Sequence, residues 1–198
     1  IIEASIENKQ IEKVVALSTD KACSPINLYG ATKLCSDKLF IAANNLVGNK
    51  KIKFSVVRYG NVFGSRGSVA TVFKKNALQN KKLLITDKRM TRFSTTLING
   101  IKMVEDALKF MEGGEIFVQK NLSYRITDLA KTFSNKISFT KIRPGEKLHE
   151  EMISTSDSYD TYDLGKYYVI CSPTLTNLKK KYRKYKKFKE GTSYNSLN

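Results

Sequence analysis

Residues 13–19, KVVALST, are a short run of apolar and β-branched residues bounded by polar ones, and residues 53–64, KFSVVRYGNVFG, are a second such run ending in a glycine-bearing loop. Runs of this length without alternation suit strands buried on both faces, as in a parallel sheet. Between them, Pro25 disfavours helix at Ser24. From about Leu28 to Asn44 the chain then becomes helical, with Leu34, Lys38 and Ile41 giving a mixed polar and apolar surface. Strand, crossover helix and strand make a βαβ unit, which commits this part of the chain to a parallel sheet.

The texture changes after Gly64. SVATVFKKNALQ reads as a helix, KLLIT as a short strand, TLINGIKMVEDALKFM as a long helix and EIFVQ as another strand. TDLAKTFSN reads as a helix with Thr127 as its N-cap and Asp128 well placed in the first turn. The expected fold class is therefore α/β: a partial Rossmann-type parallel sheet over residues 1–64, then a smaller α+β region over 65–172. Beyond Pro173 no periodicity is sufficient for a core, and residues 173–198 read as a basic tail.

That tail concentrates the charge. The chain carries 35 Lys and Arg against 18 Asp and Glu, a net +17, and KKKYRKYKKFKE at 179–190 holds eight basic residues and one acid. Clustered cations can serve a phosphate backbone or an anionic surface; a solvated tail is the plainer reading. Cys23, Cys35 and Cys171 show no CxxC pairing and no zinc spacing, which fits small apolar residues in a reduced, cytoplasmic setting. His149 is the only histidine and cannot build a metal site alone. No apolar run approaches the roughly 18–20 residues that span a bilayer. The chain opens on Ile1, inside what reads as a helix, so a fragment of a longer protein is expected.

Chemistry gathers at LSTDKACSPINLYGATK, residues 17–33. Tyr29 and Lys33 lie four apart on the expected helix and share a face. A nearby ammonium favours the phenolate, so such a tyrosine can take a proton from a sugar hydroxyl. Ser18, at the strand's end, is placed to bond a substrate oxygen or to hold the tyrosine. The carboxyl end of a parallel strand is where ligands bind in open α/β sheets.

Together STDKA…NLYGATK, RYGNVFGSRGSV, TDKRMTRF and IRPGEKLHEEMI resemble the inverting UDP-N-acetylglucosamine 4,6-dehydratases, extended short-chain dehydrogenase/reductases of bacterial polysaccharide and flagellin-sugar pathways. The resemblance covers roughly residues 1–155 and implies an NADP-dependent reaction, with NAD open, on a UDP-sugar. Tyr29, paired with Lys33, would deprotonate the sugar 4-hydroxyl as hydride leaves C4. Lys21 would remove the C5 proton, and Asp20 would protonate the departing 6-hydroxyl. Retaining relatives place Asp-Glu where this chain has Asp20 and Lys21. A lysine base must lose its proton, which calls for burial or a cationic neighbour, such as Lys33 or a pocket arginine.

The resemblance also implies cofactor contacts from Ser18, Tyr29, Lys33, Tyr59, Gly60 and Val62. It implies substrate contacts from Lys21, Asn61, Arg66, Lys74, Arg92, Arg143 and Glu146, with the arginines on the diphosphate and Glu146 on the ribose. Residues 65–172 become mainly a UDP-sugar-binding region, and a homo-oligomer is expected of the full-length protein.

Two departures stand out. The glycine turn that cradles the cofactor pyrophosphate at a helix N-terminus is missing. Ser94 replaces an aromatic residue in TRFSTTL, which would loosen substrate packing. Two other readings stay open: an inactive truncated remnant, and a non-enzymatic basic module that binds nucleic acid or membrane through residues 179–189.

Overall fold

The computed structural model describes residues 1–197. Helix α1 (Ile2–Glu7) leads into β1 (Lys13–Thr19). Helix α2 (Leu28–Ala42) then crosses over to β2 (Lys53–Tyr59), which lies parallel to β1 with Lys13 opposite Lys53 and Thr19 opposite Tyr59. Asn27 starts α2 by accepting the Gly30 N–H at 2.8 Å, one of the donors a helix N-terminus leaves unpaired. The expected βαβ unit is present.

After β2 the chain leaves this sheet through β3 (Asn61–Val62), α3 (Val69–Leu78), β4 (Leu83–Ile85) and β5 (Thr91–Thr95). It returns along α4 (Leu97–Phe110) to β6 (Glu115–Gln119), the third parallel strand, which pairs with β2. Ser68 and Thr96 cap α3 and α4 through their hydroxyls. The excursion is closed by β7 (Leu122–Arg125), α5 (Ile126–Phe133) and β8 (Ile137–Phe139). There β5 lies between β3 and β7, β4 pairs with β8, and Phe73, Leu83, Ile85, Met90 and Ile126 form a core of their own. Helix α5 begins two residues earlier than expected, so Thr127 lies inside the first turn and Arg125 at the cap makes no side-chain bond. Asp128 does sit in that turn.

The rest of the chain rejoins the main sheet. It runs through β9 (Glu151–Ile153), β10 (Thr161–Asp163), β11 (Tyr167–Cys171), α6 (Thr176–Tyr182), β12 (Lys186–Lys187) and β13 (Tyr194–Asn195). The sheet order is β1-β2-β6-β11-β10-β12, parallel as far as β6 and antiparallel beyond it. This sheet therefore draws its strands from almost the whole sequence.

The basic tail expected over 173–198 is folded, which corrects that reading. Leu178 and Tyr182 are buried in the cluster that holds Met103, Phe117 and Val169. The Tyr182 hydroxyl donates to buried Glu115 at 3.1 Å. Tyr194 packs on Phe93 and Tyr168 at 5.1 and 5.3 Å between ring centroids, while β13 pairs with β9. Leu178 and Tyr182 are the two anchors of the short helix α6 and Tyr194 comes from the two-residue β13, so no period is sustained, and the lysines between them hide the signal. Lys179 and Lys181 pair with Asp160 at 2.6 Å and Glu112 at 3.0 Å. Burying a large apolar side chain contributes about 1.5–3 kcal/mol. Deleting residues 174–198 is thus expected to cost about 5 kcal/mol or more and to shift urea denaturation sharply; an unchanged midpoint would restore the solvated-tail reading.

Candidate active site

Strand β1 ends at Thr19, and the next residues, Asp20–Ala22, turn in a single 3-10 turn. Thr19 fixes the turn: its hydroxyl accepts the Lys21 N–H and donates to Asp20 Oδ1 at 2.9 Å. Asp20 is fully buried. The Lys21 ammonium lies 3.0 Å from Asp20 Oδ1, 3.5 Å from Glu150 Oε1 and 3.4 Å from Asn61 Oδ1. Arg92 of β5 continues the chain of charges, with Nε 3.6 Å from Glu150 Oε1 and a terminal nitrogen 3.8 Å from Glu146 Oε1. These groups border a cleft of about 670 Å³, between the carboxyl end of the main sheet and the α3–β5 region.

The cleft joins most of the expected substrate residues. Lys21, Asn61, Arg66, Arg92, Arg143 and Glu146 line it, as does Val62. Lys74 does not; it is exposed on α3. Gly64 lies at the rim with φ +75° and open space around it, a backbone shape that suits glycine. Ser94 pairs with Asn61 across β3 and β5 and is not a lining residue.

Burial by itself would lower the Lys21 pKa, but Asp20 and Glu150 outweigh it and hold the amine above the ordinary lysine value. The expected depression by a cationic neighbour is absent: Arg92 opposes the two carboxylates only weakly, and Lys33 instead donates to the Leu17 carbonyl at 2.8 Å. The site without ligand therefore holds an ammonium at this position.

Apart from Val62, the expected cofactor-side residues lie outside that cleft. Tyr29 is 55% exposed at the start of α2, and Lys33 ties the same helix face to the end of β1. Ser18 is buried, and its hydroxyl donates to Asp37 at 2.8 Å rather than to the cleft. Tyr59 packs against the main core. A Cβ on Gly60 would stand 2.5 Å from that of Phe93, so the close approach this glycine permits is to β5.

Gly30 has a comparable packing role. A Cβ there would lie 2.3 Å from the Lys21 carbonyl oxygen and 2.9 Å from Pro25 Cβ. The glycine after Tyr29 is what lets α2 rest on the Asp20–Lys21 turn. Gly30→Ala should push that turn away, costing about 1–3 kcal/mol of stability as overpacking does. Thermal denaturation equal to wild type would show that the helix can retreat without strain.

Glu150 was not legible in the sequence. It sits in LHEEMI between His149 and Glu151, and nothing in three consecutive polar residues marks which one faces inward. In the structure His149 Nδ1 meets the Thr91 hydroxyl at 2.8 Å and Glu151 accepts from Ser24, while Glu150 is 3% exposed and reaches Lys21. Among the described residues, Asp20 Oδ2 and Glu150 Oε2 are buried and without a hydrogen-bond partner. Cys23 and Cys171 are buried, and burial pushes both thiols up to about 12. Cys35 is exposed.

The chain is similar to known proteins along its whole length. It is 51% identical to the UDP-N-acetylglucosamine 4,6-dehydratase (inverting) of Campylobacter jejuni subsp. jejuni serotype O:23/36 (strain 81-176), over 100% of this chain and 62% of the relative. The chain thus spans about three-fifths of the length of that relative. The X-ray structure of Pen from Bacillus thuringiensis superposes with a TM-score of 0.88 at 34% identity, covering 100% of this chain and 60% of that one. The Bacillus cereus UDP-glucuronic acid 4-epimerase, solved with UDP-glucuronic acid and NAD, gives 0.64 at 26% identity over 74% and 54%. These neighbours share the α/β architecture built on parallel strands. Residues 1–172 match the family described as polysaccharide biosynthesis protein. The chain belongs to that polysaccharide biosynthesis family.

Proposed function

We propose that this chain supplies the acid–base and substrate-binding residues of an enzyme that dehydrates UDP-N-acetylglucosamine to the 4-keto-6-deoxy sugar with inversion at C5, for bacterial surface glycan or flagellin-sugar synthesis. The observation that carries the reading is the Asp20–Lys21 couple: a buried carboxylate and an amine 3.0 Å apart, opening on a cleft bordered by Asn61, Arg92, Arg143 and Glu146. The 51% identity to a Campylobacter protein named for this activity supports it.

In this reading Arg92 and Arg143 hold the diphosphate, Arg66 stands at the same rim, and Glu146 accepts from the ribose hydroxyls. Lys21, once neutral, takes the C5 proton on the face it occupies and keeps it as an ammonium, and C5 is reprotonated by a solvent water from the opposite face, which inverts the centre. Asp20, in its protonated form, gives its proton to the departing 6-hydroxyl. Asn61 accepts from the Lys21 ammonium and keeps it aimed into the cleft at 3.4 Å. Tyr29 takes the proton of the sugar 4-hydroxyl, with Lys33 as its partner four residues on along α2.

A nicotinamide dinucleotide, when bound, supplies the hydride acceptor and donor this chemistry needs. The residues present fit one end of it: the half-exposed Tyr29 hydroxyl and Lys33 stand where β1 ends, and Leu17 beside them is half exposed. NADP is the proposed form and NAD the alternative; the solved epimerase neighbour with NAD supports the cofactor class. A homo-oligomer is part of the proposal, supported by Leu97, Ile98 and Ile101, which leave one face of α4 apolar and exposed. A cytoplasmic setting follows from a nucleotide-sugar substrate. No helix among the described residues is long and apolar enough to cross a membrane. The basic module has less support, because Lys179, Lys181 and Lys187 each pair with a carboxylate.

The test incubates this chain, and a chimera carrying the remaining length of the Campylobacter relative, with UDP-N-acetylglucosamine and NADP or NAD. Loss of one water by mass spectrometry, with one solvent deuterium at C5 in heavy water, is expected of the chimera. Because Lys21 acts neutral from a raised pKa, the rate should climb with pH through neutrality and above. A product of unchanged mass epimerised at C4 would favour an epimerase, and no turnover by a folded chimera would support the inactive remnant.

A further inference from the structure

Glu150 lies in the IRPGEKLHEEMI stretch without an expected role, yet it is among the most deeply buried charges of the protein. One oxygen, Oε1, lies 3.5 Å from the Lys21 ammonium and 3.6 Å from Arg92 Nε, so a single atom serves both cations. Oε2 is buried and has no hydrogen-bond partner among the described residues. A buried carboxylate with an idle oxygen is costly unless the site uses its charge.

The backbone behind Glu150 is fixed by residues far along the chain. Its N–H donates to Ser196 Oγ at 3.0 Å, and its carbonyl accepts the Ser196 N–H at 2.8 Å. Ser196 Oγ also meets Thr91 Oγ1 at 2.6 Å, next to Arg92 on β5. Ser196 is itself buried and follows β13, which pairs with β9. Thr91 and Arg92 face opposite ways along their strand, as successive strand residues do. One hydroxyl thus braces both the carboxylate and the strand that carries its second cation. Ser196 lies outside the 1–172 stretch that matches the family.

We propose that Glu150 is a positioning residue for Lys21, holding the amine in place and charged, and that Ser196 holds Glu150 from behind. The groups facing the Lys21 amine are Asp20 from its own turn, Glu150 from the segment before β9, Arg92 from β5 and the neutral acceptor Asn61 from β3; Tyr124 of β7 lies within reach of their field. Asp20 alone could keep Lys21 charged, but it sits beside Lys21 in the chain and cannot draw the amine across the cleft. Glu150 approaches from the other wall. The role bears on catalysis through the reading that Lys21 carries a proton in the reaction, while the test below needs neither substrate nor cofactor, so the two can fail separately.

The experiment is competitive acylation of the 198-residue chain with trace acetic anhydride across a pH series, with Lys21 quantified by peptide mass spectrometry against exposed Lys9. An amine reacts only when neutral, and each unit of pKa is tenfold in neutral fraction below the midpoint. Glu150→Gln keeps the shape and removes the charge. It should raise Lys21 acylation about threefold or more at fixed pH below the midpoint, and move the midpoint downward. Ser196→Ala should shift Lys21 the same way by less, and Ser196→Thr, which keeps the hydroxyl, should stay near wild type. A brace that serves stability alone would lower the melting temperature and leave the Lys21 midpoint where it was, which overturns the proposal. If Glu150→Gln does not fold by circular dichroism, Ser196→Ala decides: a wild-type Lys21 profile in that variant rejects the brace.

Discussion

Lys21→Met is expected to lower dehydration of UDP-N-acetylglucosamine by about 10³-fold, within the range a positioned acid–base group contributes. The methionine keeps the length of the side chain and removes the only amine that reaches Asp20, Glu150 and Asn61 together at 3.0–3.5 Å. Binding should survive the change, because Arg92, Arg143 and Glu146 carry the diphosphate and ribose in the proposed mode and none of them depends on Lys21 for its position. The measurement is therefore a pair. Turnover is followed by mass spectrometry in the chimera, and UDP affinity by calorimetry in the same variant. Lost turnover with retained affinity is the expected pattern, since the group acts in the transition state and not in ground-state binding. Turnover within tenfold of wild type would remove Lys21 from the chemistry. Tyr29→Phe should fall by a comparable factor, while the half-exposed position of Tyr29 predicts little change in fold stability.

The largest effect on stability is expected at Arg58. This guanidinium is 2% exposed near the carboxyl end of β2. It pairs with Asp37 of α2 at 3.1 Å, donates to the Met152 carbonyl at 2.7 Å and lies 3.6 Å from Asp157. Ser18 donates to the same Asp37 oxygen, so the end of β1, helix α2, β2 and β9 share one buried network. Burial would strip the charge from Arg58, but Cys23, Asp37 and Asp157 together hold its pKa above the ordinary arginine value. Arg58→Met leaves Asp37 charged and buried with only Ser18 as partner. Removing one member of a buried pair costs about 3–5 kcal/mol, and urea denaturation with a two-state fit gives the difference directly. Adding Asp37→Leu to Arg58→Met should recover a good part of that loss, because an apolar pair of similar volume needs no counter-charge. A single variant as stable as wild type would mean that the network is solvated.

Much of this architecture could be read from patterns of residues. KVVALST became β1 at its expected bounds, and the 53–64 run became β2 as far as Tyr59, because a strand buried on both faces leaves an unbroken apolar run. EIFVQ did the same for β6. YYVIC, which forms β11, carries an equally clear run that the charged stretch after it masks. The last segment was unreadable for a physical reason: its anchors are two residues of the short helix α6, Leu178 and Tyr182, and Tyr194 of β13, each packed on distant residues, and lysines outnumber them. At the candidate site, Asp20, Lys21, Asn61, Arg92, Arg143 and Glu146 came from the family resemblance, and the cleft gathers all but Asp20 along its lining, with Asp20 behind Lys21. Ser18 looked equally polar and equally close to the strand end, but in a strand successive side chains face opposite ways, and this one faces Asp37. Glu150 needed tertiary information, because its inward turn is set by Ser196 and Thr91.

The uneven burial of the thiols offers a practical handle. Cys23 and Cys171 are enclosed and hold their protons up to about pH 12, whereas Cys35 lies open on α2, two residues past Lys33 and six past Tyr29. Thiolate is the form that alkylates. A maleimide fluorophore at neutral pH will therefore attach at one position of the unaltered chain, and its emission will report on the helix that carries the tyrosine as ligands are titrated in.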